Sequence, residues 1–151
     1  MISPPLNRAR TGAESASARL VAAGAAVLIV GAGLGLRIVA AGSVAKYGGD
    51  ALYTVLLLAL FVAVAPRATP LRAAAVALAT SWAVEFLQLG TVPAELSERS
   101  TIARLVLGST FNPPDLFWYT VGAALGCLVH TSLVSLTRRR RRRAAGRPEP
   151  V

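Results

Sequence analysis

The sequence predicts an all-α integral membrane protein, a four-transmembrane-helix bundle with both termini cytoplasmic. Three observations predict it. The chain has 151 residues, 54% of them hydrophobic and only 15% charged, at a mean hydropathy of +0.57. Its apolar residues gather into segments near the ~20 residues a helix needs to cross the hydrocarbon core. Its basic residues sit at the ends and in the connections rather than inside those segments.

The first span covers residues 20–36, between Arg19 and Arg37. The second covers 47–65, with its strongest part from Ala51 to Ala65. Pro66 and Pro70 bracket the connection that follows. The third span, 71–90, is rich in Ala, Val and Leu but carries Thr80, Ser81, Trp82, Glu85 and Gln88. The fourth covers 116–136, after Pro113 and Pro114. Residues 1–18, polar and bearing Pro, Ala and Ser, are expected to lack fixed structure. Residues 19–136 form the membrane domain, and residues 137–151 form a basic cytoplasmic tail.

With the N-terminus inside, twelve of the sixteen basic residues face the cytoplasm: Arg8, Arg10, Arg19, Arg67, Arg72, Arg138 to Arg143 and Arg147. Arg37, Lys46, Arg99 and Arg104 face outward. Positive residues accumulate in cytoplasmic loops, which selects this orientation. The rival reading of residues 20–36 as the core of a cleaved signal peptide leaves three spans with conflicting charge bias. The pI of about 11.4 reflects basic residues flanking apolar spans, so no nucleic acid is expected as partner. The tail from Arg138 to Arg143 sets topology and attracts anionic lipids.

Helices in lipid associate where small residues let backbones approach. Gly31 and Gly35 on the first span, and Gly122 and Gly126 on the fourth, are four residues apart and are expected to face inward. Ala74, Ala77, Ser81, Glu85 and Gln88 form one stripe on the third. A second copy of the chain, as a homo-oligomer, is a further candidate partner. Gly31 to Gly35 lacks the following Lys and Ser/Thr of a phosphate-binding loop and is a packing feature. The lone Cys127 excludes an intramolecular disulfide and a thiolate cluster. No metal and no cofactor is expected.

Glu85 is the central feature. A carboxylate at membrane depth costs several kcal/mol unless paired, protonated or hydrated. In the chosen orientation Arg37, Asp50, Glu85, Gln88, Asp115 and Tyr119 gather near the outer leaflet, and Arg99 reaches them from the outer loop. Each also has a plainer reading. Asp50 can cap its helix, Asn112, Pro113 and Asp115 read as a helix start, Arg37 can snorkel, and Glu85 can pair with Arg37 or Arg99 to hold helices together.

Glu85-Phe86-Leu87-Gln88, then Arg99, then Asp115 with Gly122 and Gly126, resembles the VanZ-like family of small bacterial membrane proteins. A fuller pattern resembles its relative, the family called domain of unknown function 2809. It comprises Gly33-Leu34 with Arg37, Gly49-Asp50-Ala51-Leu52, Glu85-Phe86-x-Gln88, Arg99-Ser100-Thr101, Leu107-Gly108, Phe111, Asp115-Leu116 and Tyr119-x-x-Gly122, over roughly residues 30–126. Against VanZ-like chains, Tyr119 stands where Asn is usual and the gap from Arg99 to Asp115 is longer. The resemblance implies a multi-pass protein of a bacterial cell membrane and leaves its activity open.

The function expected is binding at a polar pocket near the outer leaflet. Its ligand would be a lipid head group, a cell-wall precursor or an amphiphilic compound. Arg37, Arg99 and Arg104 would contact anionic oxygens there, and Glu85, Asp115 and Tyr119 would orient them. The alternatives are an outer-leaflet enzyme on a lipid-linked substrate, with Glu85 or Asp115 as general base, and a small proton-coupled transporter. The absence of a Ser-based nucleophile motif and of a His near the site leans away from an enzyme.

Overall fold

A computed structural model describes residues 5–107 and 110–145. Among these residues the fold is helical, without strands. The helices are α1 (Pro5–Val39), α2 (Gly42–Val64), α3 (Pro70–Leu87), α4 (Val92–Arg99), α5 (Thr101–Leu107) and α6 (Pro113–Ala145).

Three of them contain stretches long and apolar enough to cross a membrane: Ser15–Val39, Gly42–Val64 and Pro113–Arg140. In an apolar 18-residue window of each, no more than 17% of the residues are buried within the molecule. Leu28 and Ile38 on α1, and Leu128 and Val129 on α6, point away from it. Apolar surface on this scale matches a lipid environment rather than water. These three helices fit a membrane protein. α3 is shorter, with 18 residues and both Arg72 and Glu85, so it spans only about 27 Å.

The elements follow from their ends. α1 and α2 are joined by Ala40 and Ala41 alone, and Gly42 closes the reversal at φ 61°, where a side chain is disfavoured. α3 starts at Pro70, which lacks an N–H to leave unpaired. Thr69 caps it, its hydroxyl accepting from the Arg72 N–H at 3.4 Å. α2 is central and packs on α1, α3 and α6, while α3 also packs on α6. Leu58, Ala73, Ala74 and Ala77 form the core between α2 and α3, with Phe61, Val62 and Cys127 against it.

The small-residue faces divide. At Gly122 a Cβ would overlap the backbone of Ala51, so α6 lies on α2 with backbones in contact there. A Cβ at Gly126 would meet the end of the Leu58 side chain at 2.8 Å. At Gly31 and Gly35, by contrast, a Cβ meets nothing within 4 Å. The inward face expected for this pair is therefore not an interface among the described residues. α1 buries Ala22 and Ala26 instead, and the glycine that admits its close approach is Gly48 of α2, against Leu36.

Two further differences concern length. α1 begins at Pro5, inside the segment expected to lack structure, and α6 runs through the arginines to Ala145. Both extensions are rich in Ala or Arg, which are good helix formers. They continue a helix already nucleated in the apolar segment, so no new nucleus is needed.

Candidate functional site

Glu85 lies in the last turn of α3 on the stripe that faces α2 and α6. Ala74, Ala77, Ser81 and Glu85 are all buried there, as the steps of three and four residues require. The Glu85 side chain has no exposed surface. Its Oε1 accepts the backbone N–H of Asn112 at 2.5 Å, and its Oε2 accepts the Tyr119 hydroxyl at 3.1 Å. Both donors come from the start of α6 or the residue before it. One turn back, the hydroxyls of Ser81 and Thr54 are hydrogen-bonded at 2.9 Å, both fully buried. The carboxylate thus ends a short polar seam between α2, α3 and α6.

Asn112 links Glu85 to a second carboxylate. Its side-chain amide donates to Asp115 Oδ1, which also accepts from the Lys46 ammonium. Lys46 stands one turn before Asp50 on α2 and lies 3.5 Å from the Asp50 carboxylate. Accessibility rises along this chain of groups. The side chain is 8% exposed at Asp115, 20% at Asp50 and 46% at Lys46. Two carboxyl groups, Asp50 and Asp115, therefore meet one ammonium, Glu85 joins them through Asn112, and the outermost members are Lys46 and Asp50.

Aromatic rings frame the cluster. Tyr47 stacks on Trp118 with centroids 5.5 Å apart, and Tyr53 lies 6.1 Å from Tyr119. The Trp82 indole N–H donates to the Leu116 carbonyl at 3.2 Å. Through that stack Trp118 holds α6 to α2.

Not every expected residue joins. Gln88 donates to the Leu107 carbonyl at 2.6 Å and fastens the α3 end to α5. Arg37, Arg99 and Arg104 lie on exposed positions, and none makes an ion pair among the described residues. The pairing of Glu85 with Arg37 or Arg99 is thus replaced by Asn112 and Tyr119. The reason is topological. α1 packs chiefly on α2, and α4 and α5 pack on each other, so these guanidinium groups keep their water.

Lys46 and Asn112 are the members that the sequence reading did not assign to the site. Lys46 was readable, because Lys46 and Asp50 are four residues apart on one helix. Asn112 contributes a backbone N–H, which no residue pattern announces. Lys46→Met is expected to lower stability by about 1–2 kcal/mol, because it strands the Asp115 carboxylate. The half-exposed ammonium keeps the loss below that of a fully buried pair. Unfolding in mixed detergent micelles measures it, and adding Asp115→Asn should recover part of the loss.

Among the described residues no group of His, Cys, Asp and Glu is arranged to hold a metal ion. The family model described as "Protein of unknown function (DUF2809)" matches residues 39–123, more than half of the chain. The chain belongs to the DUF2809 family. The matched region holds Lys46, Asp50, Glu85, Asn112, Asp115 and Tyr119, so the whole cluster lies within the part shared with the family. No curated protein and no solved structure matches the chain.

Proposed function

We propose that this DUF2809 protein is a multi-pass protein of a bacterial cell membrane that binds an amphiphilic molecule at the Glu85 end of its helices. α3 would serve as a fourth span, both termini would be cytoplasmic, and the cluster would lie near the outer leaflet, as the distribution of Lys and Arg favours. A VanZ-like relationship is supported by Glu85-x-x-Gln88, Asp115, Gly122 and Gly126 in that order. The ligand would be a lipid head group, a cell-wall precursor or another amphiphile.

One observation carries the reading. Two carboxyl groups, Asp50 and Asp115, share the Lys46 ammonium, a third, Glu85, is joined to them through Asn112, and accessibility grows from Glu85 outward to Asp50 and Lys46. The buried members are hydrogen-bonded and act as the anchor. The accessible members form the contact. The acidic surplus selects a cationic, ammonium-bearing head rather than the anionic oxygens that Arg37, Arg99 and Arg104 would take. A transport route receives less support. Beyond Ser81 the buried stripe of α3 continues as the apolar residues Ala77, Ala74 and Ala73 against Leu58.

The test uses purified full-length protein in a non-ionic detergent. Dodecyltrimethylammonium should bind more tightly than dodecyl sulfate, and Asp50→Asn should weaken it roughly tenfold, about 1.4 kcal/mol. Equal binding of the two amphiphiles, unaffected by Asp50→Asn, would remove the proposal.

A further inference from the structure

At the end of the helices opposite Glu85, α1 and the α2–α3 turn enclose a cleft of about 740 Å³. Two guanidinium side chains line it, Arg19 from α1 and Arg67 from the turn. Ser15 lies one turn before Arg19 on the same wall. Leu20, Val64 and Pro66 supply apolar surface. We infer that this cleft is a binding site for one anionic phospholipid, with Arg19 and Arg67 on the phosphate and Leu20 and Val64 against the upper acyl chains.

Position is the first argument. Arg19 directly precedes the apolar stretch that starts at Leu20, and Arg67 follows the last residue of α2, Val64, by three. Both guanidinium groups therefore stand where the apolar length of their helices ends. A phospholipid phosphate sits at that depth, between hydrocarbon and water.

Charge is the second. Neither Arg19 nor Arg67 makes an ion pair among the described residues. Two cations facing one cleft, with no carboxylate among its lining residues, repel each other until an anion enters. Guanidinium groups match phosphate oxygens in pairs of parallel hydrogen bonds, which an ammonium cannot do. Basic pockets between membrane helices bind anionic head groups for this reason.

Shape is the third. The volume lies within the range of small-molecule sites, large enough for a head group with the first part of its chains. An inorganic anion would leave Leu20, Val64 and Pro66 uncovered. Leu20 is 74% and Val64 78% exposed, so the apolar wall adjoins lipid and an acyl chain can enter from the side.

The inference concerns a different end of the molecule from the acidic cluster and stands independently of what that cluster binds. It also differs from the diffuse attraction of Arg138 to Arg143. The tail would collect anionic lipid without holding one molecule in place, whereas the cleft holds one.

Native mass spectrometry of the full chain in a mild detergent tests it, with phosphatidylglycerol, phosphatidylcholine and inorganic phosphate as probes. The wild type should retain one phosphatidylglycerol in preference to phosphatidylcholine, and millimolar phosphate should not displace it. Arg19→Gln with Arg67→Gln should weaken retention by roughly tenfold or more. Arg19→Lys with Arg67→Lys should fall between, and its unchanged circular dichroism would show that the fold survives. Replacing Arg138 to Arg143 with Gln should leave the single bound lipid in place. The inference is overturned if the double Gln variant keeps the lipid, if the tail variant loses it, or if phosphate displaces it.

Discussion

Glu85→Ala is expected to destabilise the protein by about 2–3 kcal/mol. The substitution leaves the Asn112 N–H and the Tyr119 hydroxyl without their acceptor. An orphaned buried donor costs about 1–3 kcal/mol. Measured hydrogen bonds between membrane helices fall at the low end, because the unfolded chain in lipid also finds partners. Glu85→Gln keeps the volume and one acceptor and should lose about half as much. Leu87→Ala, two residues on and 60% exposed, should change stability by less than about 0.5 kcal/mol. Unfolding in dodecyl sulfate mixed micelles ranks the three. The same ranking should govern amphiphile binding, since Glu85 holds the start of α6 that presents Asp115.

Gly122→Ala should have the second large effect. Its methyl group would overlap the carbonyl of Ala51, and backbone cannot turn aside as a side chain can. α6 must move off α2, at a cost of about 1–3 kcal/mol. The displacement also separates partners across that contact, because Asp115 rides on α6 while Lys46 stands on α2. Ammonium-amphiphile binding should fall with stability. Gly126→Ala meets only the end of Leu58 and should cost less. Gly31→Ala meets nothing and should be neutral or stabilising, since Ala favours helix over Gly by about 1 kcal/mol. Equal losses at Gly31 and Gly122 would show that α1 packs through its glycines after all.

The contrast between these glycines shows where sequence reading reaches its limit. Pairs four residues apart look alike on α1 and α6. A small residue permits close approach and does not compel it, so the neighbour decides. The stripe on α3 was more legible, because a carboxylate in an apolar segment has few tolerable orientations and Glu85 fixes which face turns inward. Its partners are less legible. The plainer of its two readings pairs a charge with a charge, Arg37 or Arg99, whereas a phenol hydroxyl and a backbone N–H suffice in this interior. Tyr119 and Asp115 stand one turn apart on α6, which made their shared face readable. The two short helices α4 and α5, between Val92 and Leu107, fall below the length at which hydrophobic period separates a helix from a loop.

The central claim is that Glu85 is held between helices by Tyr119 and the start of α6. A double-mutant cycle on Glu85→Ala and Tyr119→Phe, read as unfolding free energy in lipid-like micelles, tests it most directly. Residues in direct contact couple by about 0.5–3 kcal/mol. The double variant should therefore lose about 1 kcal/mol less than the two single losses combined. Strict additivity, with Glu85→Ala no more costly than Leu87→Ala, would contradict the account.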